Sequence, residues 1–334
     1  MLNVGVIGLG VGAKHAQAYT DHPGCRVIAL CDLSDERLAE VAKEHPMAAT
    51  TRDATAILDN PDIHIVSVAS YDDAHHGQVV RALEQGKHVF VEKPVCLHPA
   101  ELKSIRRALA ARPGLVLSSN LNLRTCPRFL RLRQAVASGE MGELFHMEAD
   151  YYWGRVQKLT QGWRGDMEFY SIIHGAAVHM IDLILWVTGS RPVSVQGLGN
   201  AVATRGSKLR FNDFAVLLLQ FENGMSAKVT GNGGCVHPHF HRVAAFGTSK
   251  TFVHEHAGAR LYDSRNPDEA PETVTEAYPG VPHKADLIHG FVDAVLDPAK
   301  SAPVDAEDVF ATMSVCLTAE QAVAQGRPVE IEYI

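Results

Sequence analysis

The start of the chain constrains the fold more than any other stretch. Residues 2–7 have the apolar pattern of a short buried strand, and Gly-Leu-Gly-Val-Gly-Ala follows directly at residues 8–13. A helix is predicted over residues 14–20 and a second strand over residues 25–30, which leads to Asp32. A strand, a glycine turn, a helix and a second strand in this order predict the first βαβ unit of a parallel sheet.

The glycine turn has the spacing Gly-x-Gly-x-x-Ala, which is typical of dinucleotide binding. Gly8 permits the tight turn, Gly10 lets the backbone approach a pyrophosphate, and Ala13 lets the helix pack closely on the strand. Free N–H groups at the start of the helix can then bind the phosphates. We predict that Gly8, Gly10, Val11 and Gly12 contact a dinucleotide. The alternative is a glycine turn in an unrelated α/β unit.

Asp32 lies 22 residues after Gly10 and favours NAD as the dinucleotide. Its carboxylate can accept hydrogen bonds from the ribose hydroxyls, and it would repel the 2′-phosphate of NADP. No arginine follows it directly, although Ser34 and Arg37 are close enough to leave NADP open. The predicted cofactor is therefore NAD, with NADP as the alternative.

Length and composition are those of a globular protein of two domains. The chain has 334 residues and a formal net charge of −7 with scattered basic residues, so nucleic acid is not a predicted partner. No apolar run approaches the about 18 residues of a membrane span, so a membrane is not predicted either. The six cysteines form no Cys-x-x-Cys pair, and the first strand begins too early for a signal peptide to precede it. Together these features predict a cytoplasmic protein with reduced thiols.

Strand and helix patterns alternate up to residue 119 and change after Asn120. The alternation predicts an α/β fold, a doubly wound parallel sheet, over residues 1–119. Residues 120–334 are predicted to form an α+β domain with a large, mainly antiparallel sheet, because a long apolar helix is followed by successive strands with an Asn-Gly hairpin turn. These strands are predicted at residues 192–203, 213–221, 225–231, 240–246 and 250–254.

Polar residues follow three of the parallel strands, at the sheet edge where ligands bind in such folds. We predict that they lie at the cofactor; they are Ser70, Tyr71, His75, Glu92, Lys93 and Asn120. Lys93 could exchange a proton with a substrate hydroxyl, since partial burial and a nearby cationic ring would lower its pKa towards neutrality. The alternative is a surface lysine after an ordinary strand.

Several motifs resemble the glucose–fructose oxidoreductase, inositol dehydrogenase and MocA (Gfo/Idh/MocA) family over nearly the whole chain. The most specific is Gly-Lys-His-Val-Phe-Val-Glu-Lys-Pro at residues 86–94. The others are Gly8-Leu9-Gly10, Asp32, the His75 stretch, Arg124, Trp163-Arg164 and His179-Met180-Ile181-Asp182.

This resemblance implies an N-terminal Rossmann domain and a C-terminal domain whose open sheet often forms the oligomer interface, here of a homodimer or homotetramer. It implies NAD(P)-dependent oxidation or reduction of a sugar, cyclitol or related polyol. It also implies that Lys93 shifts or holds the proton, and that the peptide bond between Lys93 and Pro94 is cis.

One position departs from the pattern of the family. Many members carry an Asp four residues before the His of the second domain, and the pair flanks the substrate. Here His179 is present, but the Asp position is Gly175. Tyr170 and His174 lie in the same stretch and are predicted to take the place of the carboxylate at the substrate. Lys93 and His179 are the predicted catalytic residues; the alternative for His179 is a core histidine on an apolar helix.

Basic and aromatic residues of the second domain are further candidates for the substrate site. Arg124, Arg155, Lys158, Trp163 and Arg164 could present positive charge and an indole face to a sugar ring with an anionic substituent. We retain Arg124, Trp163 and Arg164 as predicted substrate contacts. The alternative for each basic residue is a solvated loop charge.

Three histidines at alternate positions, His237, His239 and His241, suggest a metal site if they share one face of a strand. Hydride transfer to a nicotinamide needs no metal, however, because a lysine can hold the proton. We therefore predict no metal and place His239 in the polar wall of the substrate pocket, with a sheet surface or interface as the alternative.

The sequence thus predicts an NAD(P)-dependent oxidoreductase that transfers a hydride between nicotinamide and a hydroxyl or carbonyl carbon of a sugar, cyclitol or sugar derivative. Two alternatives stay open. One is a family enzyme that acts on a nucleotide-sugar or a dihydrodiol. The other is a non-catalytic, NAD(P)-sensing regulatory protein of the same fold.

Overall fold

The computed structural model describes residues 1–279 and 285–334, which form two compact units. The first unit contains residues 1–122 together with residues 285–313. The second contains residues 123–279 and 314–333, and each unit is built on one β-sheet. Among the described residues, no helix is long and apolar enough to cross a membrane.

The sheet of the first unit has six strands, all parallel to their neighbours. They are β1 (Leu2–Ile7), β2 (Cys25–Cys31), β3 (Ala49–Thr51), β4 (Ile65–Val68), β5 (His88–Val91) and β6 (Leu117–Ser119). Their order in the sheet is β3-β2-β1-β4-β5-β6. The chain order reverses between β1 and β4, and the carboxyl ends of these two strands open the crevice in which dinucleotides bind in this fold.

Helices connect these strands, as a parallel sheet requires. They are α1 (Gly12–Asp21), α2 (Asp35–Ala42), α3 (Thr55–Leu58), α4 (His75–Glu84) and α5 (Pro99–Ala110). All four residues of β4 are buried, which agrees with a sheet covered on both faces. The prediction of a doubly wound parallel sheet is confirmed.

The second unit contains a nine-stranded sheet in the order β14-β13-β12-β11-β7-β10-β9-β8-β15. Its strands are β7 (Leu144–Tyr152), β8 (Pro192–Asn200), β9 (Phe214–Phe221), β10 (Ser226–Asn232), β11 (Phe240–Gly247), β12 (Thr251–Glu255), β13 (Gly258–Tyr262), β14 (Glu272–Val274) and β15 (Val329–Glu330). Only β7 and β10 pair in parallel, so the prediction of a mainly antiparallel sheet is confirmed. The strands β13 and β14 were not predicted.

Three helices of this unit precede β8: α6 (Pro127–Ala137), α7 (Val156–Thr160) and α8 (Val178–Thr188). Ten of the eleven residues of α8 are buried, because the helix packs against β7, β10 and α6. It ends at Gly189, which adopts a left-handed conformation with φ of 63°.

The chain then returns to the first unit with α9 (Asp286–Leu296) and the beginning of α10 (Ala306–Gln325). The sequence predicted one continuous second domain over residues 120–334. In the structure, α9 and the beginning of α10 belong to the first unit instead. Phe291 of α9 packs against Phe90 of β5 with ring centroids 5.6 Å apart, and His289 Nε2 lies 2.9 Å from the carbonyl oxygen of Ala18. These long-range contacts give α9 to the first unit, and no local pattern in the sequence reports them.

Candidate functional site

The glycine turn after β1 has the geometry of a phosphate-binding loop. Gly8 has φ of 84°, and a Cβ at this position would lie 2.3 Å from the carbonyl oxygen of Ala69, so only glycine fits. A Cβ on Gly10 would meet no atom within 4 Å, which leaves this part of the backbone open to a ligand. No side chain caps the start of α1 at Val11, so no cap competes with an anion for the first N–H groups of the helix.

The close packing of α1 on the sheet depends on Gly12. The sequence analysis predicted Ala13 for this role. Gly12 is buried, and a Cβ there would lie 3.1 Å from Val6 and 3.2 Å from Ala69. Ala13 is only partly buried. The helix begins two residues earlier than predicted, at Gly12, and this brings Gly12 onto the face that contacts the strand.

Asp32 connects the end of β2 to the glycine turn. Its Oδ2 accepts a hydrogen bond from the backbone N–H of Leu9 at 2.7 Å, and its Oδ1 accepts one from Ser34 at 2.9 Å. Each carboxylate oxygen has a second lone pair, so the group can still accept hydrogen bonds from ribose hydroxyls. Arg37 is exposed on α2. A fixed carboxylate at this position favours NAD over NADP.

His75 links two loops, and the cofactor contact predicted for it stays a prediction. Its side chain is fully buried, with Nδ1 2.7 Å from the carbonyl oxygen of Pro94 and Nε2 3.2 Å from that of Ser70. It therefore joins the loop after β4 to the loop after β5. In the same loop, the Oγ of Ser70 donates to Gln78 at 2.7 Å, and Tyr71 is 49% exposed.

Glu92, at the end of β5, is the centre of a chain of polar groups that the sequence did not reveal. Its Oε1 lies 3.2 Å from His15 Nε2 and accepts a hydrogen bond from Asn120 Nδ2 at 2.5 Å. The other ring nitrogen of His15, Nδ1, lies 3.0 Å from Ser67 Oγ. His15 on α1 thus connects β4 to Glu92 after β5, and Glu92 in turn binds Asn120 after β6.

These hydrogen-bonded polar groups keep Glu92 ionised. Burial alone would raise the pKa of Glu92, but the hydrogen bond and charge of His15, the charge of Lys93 and the hydrogen bond from Asn120 together lower it below its ordinary value. A carboxylate is therefore held beside Lys93. The peptide bond between Lys93 and Pro94 is cis, as the resemblance implied.

In the second unit, His179 lies near the start of α8 and belongs to a group of stacked aromatic rings. Its ring centroid is 5.8 Å from that of Tyr151 and 6.5 Å from that of His241. Tyr151 stacks on His241 at 4.5 Å, and its hydroxyl lies 2.8 Å from Nε2 of His239. His241 Nδ1 in turn lies 2.7 Å from the hydroxyl of Tyr278. His239 therefore belongs to the same side-chain cluster as His179.

His241 of β11 and His239, which directly precedes this strand, are both neutral at pH 7. Desolvation, together with the positive charge of Arg155, lowers the pKa of His239 to about 4 although one edge of the ring remains exposed. Burial, followed by the charge of His239, lowers the pKa of His241 well below its ordinary value. Burial raises the pKa of Tyr151 to about 12, and Arg155 and Arg164 oppose this rise. The cluster offers neutral hydrogen-bonding groups to a ligand.

His237 lies apart from His239 and His241. It makes edge-to-face contacts with Tyr152 and His256, with ring centroids 5.0 Å and 5.6 Å away, and its Nδ1 lies 2.7 Å from the carbonyl oxygen of Pro238. The three imidazoles do not share one face, because β11 begins only at Phe240 and the residues before it follow an irregular path. Among the residues that the structure describes, no three histidine, cysteine or acidic side chains form a metal site.

Gly175 and Tyr170 are coupled by shape. A Cβ on Gly175 would lie 2.3 Å from the hydroxyl oxygen of Tyr170, so the phenol fills the space into which a side chain at position 175 would extend. The backbone there winds as a π-helical turn over Ile173–Ala177, a feature that is frequent at functional sites. His174 lies in this turn, buried, with its ring 6.0 Å from that of Phe169.

Arg124 forms a buried ion pair, and the substrate contact predicted for it stays a prediction. Its Nη2 lies 2.6 Å from Oδ1 of Asp182, and the two side chains are 3% and 1% exposed. A buried pair of this kind joins the turn before α6 to α8. Arg164, in contrast, lies over the rings of Trp163 and Trp153, 4.2 Å and 5.5 Å from their centroids.

Comparison with known protein families shows to which family the chain belongs. Residues 2–120 match the oxidoreductase family with an NAD-binding Rossmann fold, and residues 129–253 match the GFO/IDH/MocA C-terminal domain. The chain belongs to the Gfo/Idh/MocA family. The first unit is accordingly an NAD-binding Rossmann domain, which confirms the predicted cofactor.

Relatives of this Gfo/Idh/MocA protein match over almost its whole length. It is 26% identical to the uncharacterized oxidoreductase YrbE of Bacillus subtilis over 98% of this chain and 96% of the relative. It is 24% identical to the scyllo-inositol 2-dehydrogenase (NAD(+)) of the same organism over 98% and 95%. Among solved structures, levoglucosan dehydrogenase in complex with NADH and levoglucosan shares the fold with a TM-score of 0.86, at 20% identity over 99% of each chain.

His15 and Tyr151 escaped sequence reasoning, and His241 was considered only as a possible metal ligand. His15 lies seven residues after Gly8 on the predicted helix, and only its buried face connects it to Glu92. Tyr151 and His241 lie on the neighbouring strands β7 and β11, whose pairing places residue 151 opposite residue 241. The sequence shows both residues but does not show which positions of β7 and β11 face each other. Their contact could therefore not be predicted.

Proposed function

We propose that this protein is an NAD-dependent dehydrogenase that acts on a CH–OH group of a sugar, cyclitol or sugar derivative. The observation that carries the proposal is the intact cofactor half: Gly8, Gly10 and Asp32 are shaped for NAD, and Lys93 follows β5 beside an ionised Glu92. The relatives named for inositol and levoglucosan support the substrate class.

Bound NAD would supply the hydride acceptor for oxidation of the carbinol carbon. In this proposal, the amine form of Lys93 accepts the proton of the substrate hydroxyl as the hydride leaves, so that no free alkoxide forms. In the reverse direction the ammonium form returns that proton to the carbonyl oxygen. The polar groups around Glu92 fix the backbone from which Lys93 extends.

His179 is proposed to orient the reacting hydroxyl or share its proton. Support comes from its position in the cluster of Tyr151, His239 and His241, in which two of the imidazoles are kept neutral. Tyr170, whose hydroxyl fills the space beside Gly175, is the proposed replacement for the carboxylate that is missing there.

A screen of substrates against both cofactors tests the proposal. The full-length protein is incubated with NAD or NADP and a library of sugars, cyclitols, nucleotide-sugars and dihydrodiols, and NADH or NADPH formation is followed by absorbance. We expect turnover with NAD and at least one polyhydroxylated substrate. Tight NADH binding without turnover across the library would favour the alternative of an NAD-sensing regulatory protein, and preferred turnover of a nucleotide-sugar or dihydrodiol would redirect the substrate class.

A further inference from the structure

Positive charge accumulates beside the Tyr151–His239 pair. Immediately after β7, Gly154 adopts φ of 58°, and a Cβ there would lie 2.4 Å from the carbonyl oxygen of His237. The turn that leads into α7 therefore packs directly against the backbone two residues before His239. Arg155 follows this turn and begins α7.

Three cations of this region have no acidic partner in the described part of the chain. Arg155, Lys158 and Arg164 make no ion pair within 4.0 Å there, although the chain as a whole has a net charge of −7. The nearest acidic residue in sequence, Asp166, is paired with Lys208 at 2.6 Å. The cations thus form a local concentration of like charge that neighbouring carboxylates do not neutralise.

The charges of these cations act on one another and on His239. Desolvation and the charges of Arg155 and Arg164 lower the pKa of Lys158. The charges of Arg155 and Lys158 also help to lower the pKa of His239. A bound anion would offset the mutual repulsion of the three cations.

The geometry of Arg164 suits recognition of a sugar that carries an anion. Its guanidinium lies over the indoles of Trp163 and Trp153, which restrict its motion. Trp153 directly follows β7, two residues after Tyr151, which contacts His179. A held guanidinium can donate two parallel hydrogen bonds to a carboxylate or phosphate.

We propose that Arg155, Lys158 and Arg164 form a binding site for an anionic group on the substrate, so that the preferred substrate is a sugar acid or a sugar phosphate. This inference rests on the proposed function, since it names the substrate class of the same site. The shared chemistry is an oxyanion attached to a polyhydroxylated ring or chain. The hydroxyl that is oxidised is a separate group of the same molecule.

Matched substrates test the inference and separate carboxylate from phosphate. With NAD saturating, kcat/KM is measured for glucose, glucuronate and glucose 6-phosphate, and for galactose, galacturonate and galactose 6-phosphate. We expect one charged class to exceed its neutral parent by about 100-fold, as two charge-assisted hydrogen bonds allow. This preference should fall as salt is added, because the cations are partly exposed.

Variants locate the effect. Arg155→Gln and Arg164→Gln should each raise KM for the charged substrate by about tenfold or more, which corresponds to loss of one charge-assisted hydrogen bond. Arg265→Gln, which removes an exposed arginine elsewhere in the second unit, is the matched control and should change nothing. The Kd for NADH should stay the same in all three variants.

Several outcomes would overturn the inference. Equal or better turnover of the neutral sugars would contradict it and leave the proposed function intact. A rise in the Kd for NADH in Arg155→Gln or Arg164→Gln would assign the cations to the phosphates of the cofactor. If no sugar is turned over, the proposed function fails, and calorimetric titration of the NADH complex with glucuronate and glucose 6-phosphate decides the inference. Binding that the two variants weaken supports it, and absence of binding of both contradicts it.

Discussion

The two units differ in how the charged groups of their candidate site residues are balanced. In the first unit, Asp32 accepts two backbone hydrogen bonds and Glu92 is held by His15 and Asn120. In the second unit, the cations Arg155, Lys158 and Arg164 have no acidic partner among the described residues. The acidic groups of the first unit are thus held by fixed hydrogen bonds, while the three cations of the second unit lack neutralising carboxylates in the part of the chain that the structure describes.

The largest effect that this comparison predicts is at the glycine turn. Gly8→Ala should lower the free energy of unfolding by about 3 kcal/mol, because strain at positive φ adds to a clash with the backbone of Ala69. Gly10→Ala should leave stability within about 0.5 kcal/mol and weaken NADH binding about 100-fold, since its Cβ meets only the ligand. Urea unfolding and NADH fluorescence titration measure the two quantities.

Gly77 provides a control for these substitutions. It lies inside α4, where a Cβ would meet no atom within 4 Å, so Gly77→Ala should slightly stabilise the protein and leave NADH binding unchanged. Equal loss of stability in Gly8→Ala and Gly10→Ala would show that the turn is not divided into a structural and a ligand-facing glycine.

The next effect concerns the Arg124–Asp182 pair. Arg124→Met should lower the free energy of unfolding by about 3–5 kcal/mol, because it leaves a buried carboxylate without its counter-ion. Substrate KM in the folded fraction should change little. A normal stability combined with a large rise in KM would return Arg124 to the substrate site, as the sequence suggested.

A smaller and pH-dependent effect is predicted for Glu92. Glu92→Gln should cost about 1–2 kcal/mol of stability at pH 7, because the hydrogen bonds from His15 and Asn120 favour the carboxylate. The pKa of Glu92 is lowered in the folded protein, so this contribution is complete above the unfolded value near 4.5 and is lost as pH falls through the folded pKa.

The difference between the unfolding curves of wild type and Glu92→Gln, measured from pH 7 down to pH 3, checks this sign. A difference that grows on acidification would mean that the folded protein raises the pKa of Glu92. Gln157→Ala is the control, because it changes an exposed amide that is remote from Glu92 in sequence, and it should leave the curve unaltered. Gln78 is unsuitable as a control because it accepts a hydrogen bond from Ser70.

The cofactor half was largely predictable from the sequence because its chemistry fixes residue type at fixed spacing. A pyrophosphate needs close backbone approach at Gly8 and Gly10, and the ribose needs an acceptor at Asp32. The prediction that Ala13 allows the close packing of helix and strand was wrong. Gly12 has this role, because the residue that faces the strand depends on where α1 begins. Such boundaries are the least certain part of a sequence pattern.

The second half was less predictable because its site depends on contacts between distant residues. The Arg124–Asp182 pair, the facing positions of Tyr151 and His241, and the packing of α9 against β5 all join segments far apart in the chain. The sequence showed these residue types without their partners. The strands β13 and β14 were also missed, since they are short strands of five and three residues at one edge of the sheet.

The account depends most directly on Lys93 as the proton-transferring group, and one substitution tests it. With NAD saturating and a substrate identified by the screen, Lys93→Met should lower kcat by about 10²–10⁴-fold while the Kd for NADH stays within about threefold. Lys103→Met, on the exposed face of α5, is the matched control and should retain full turnover. Unchanged kcat in Lys93→Met would contradict the account, because the hydride transfer would then proceed without the proton acceptor that we assign.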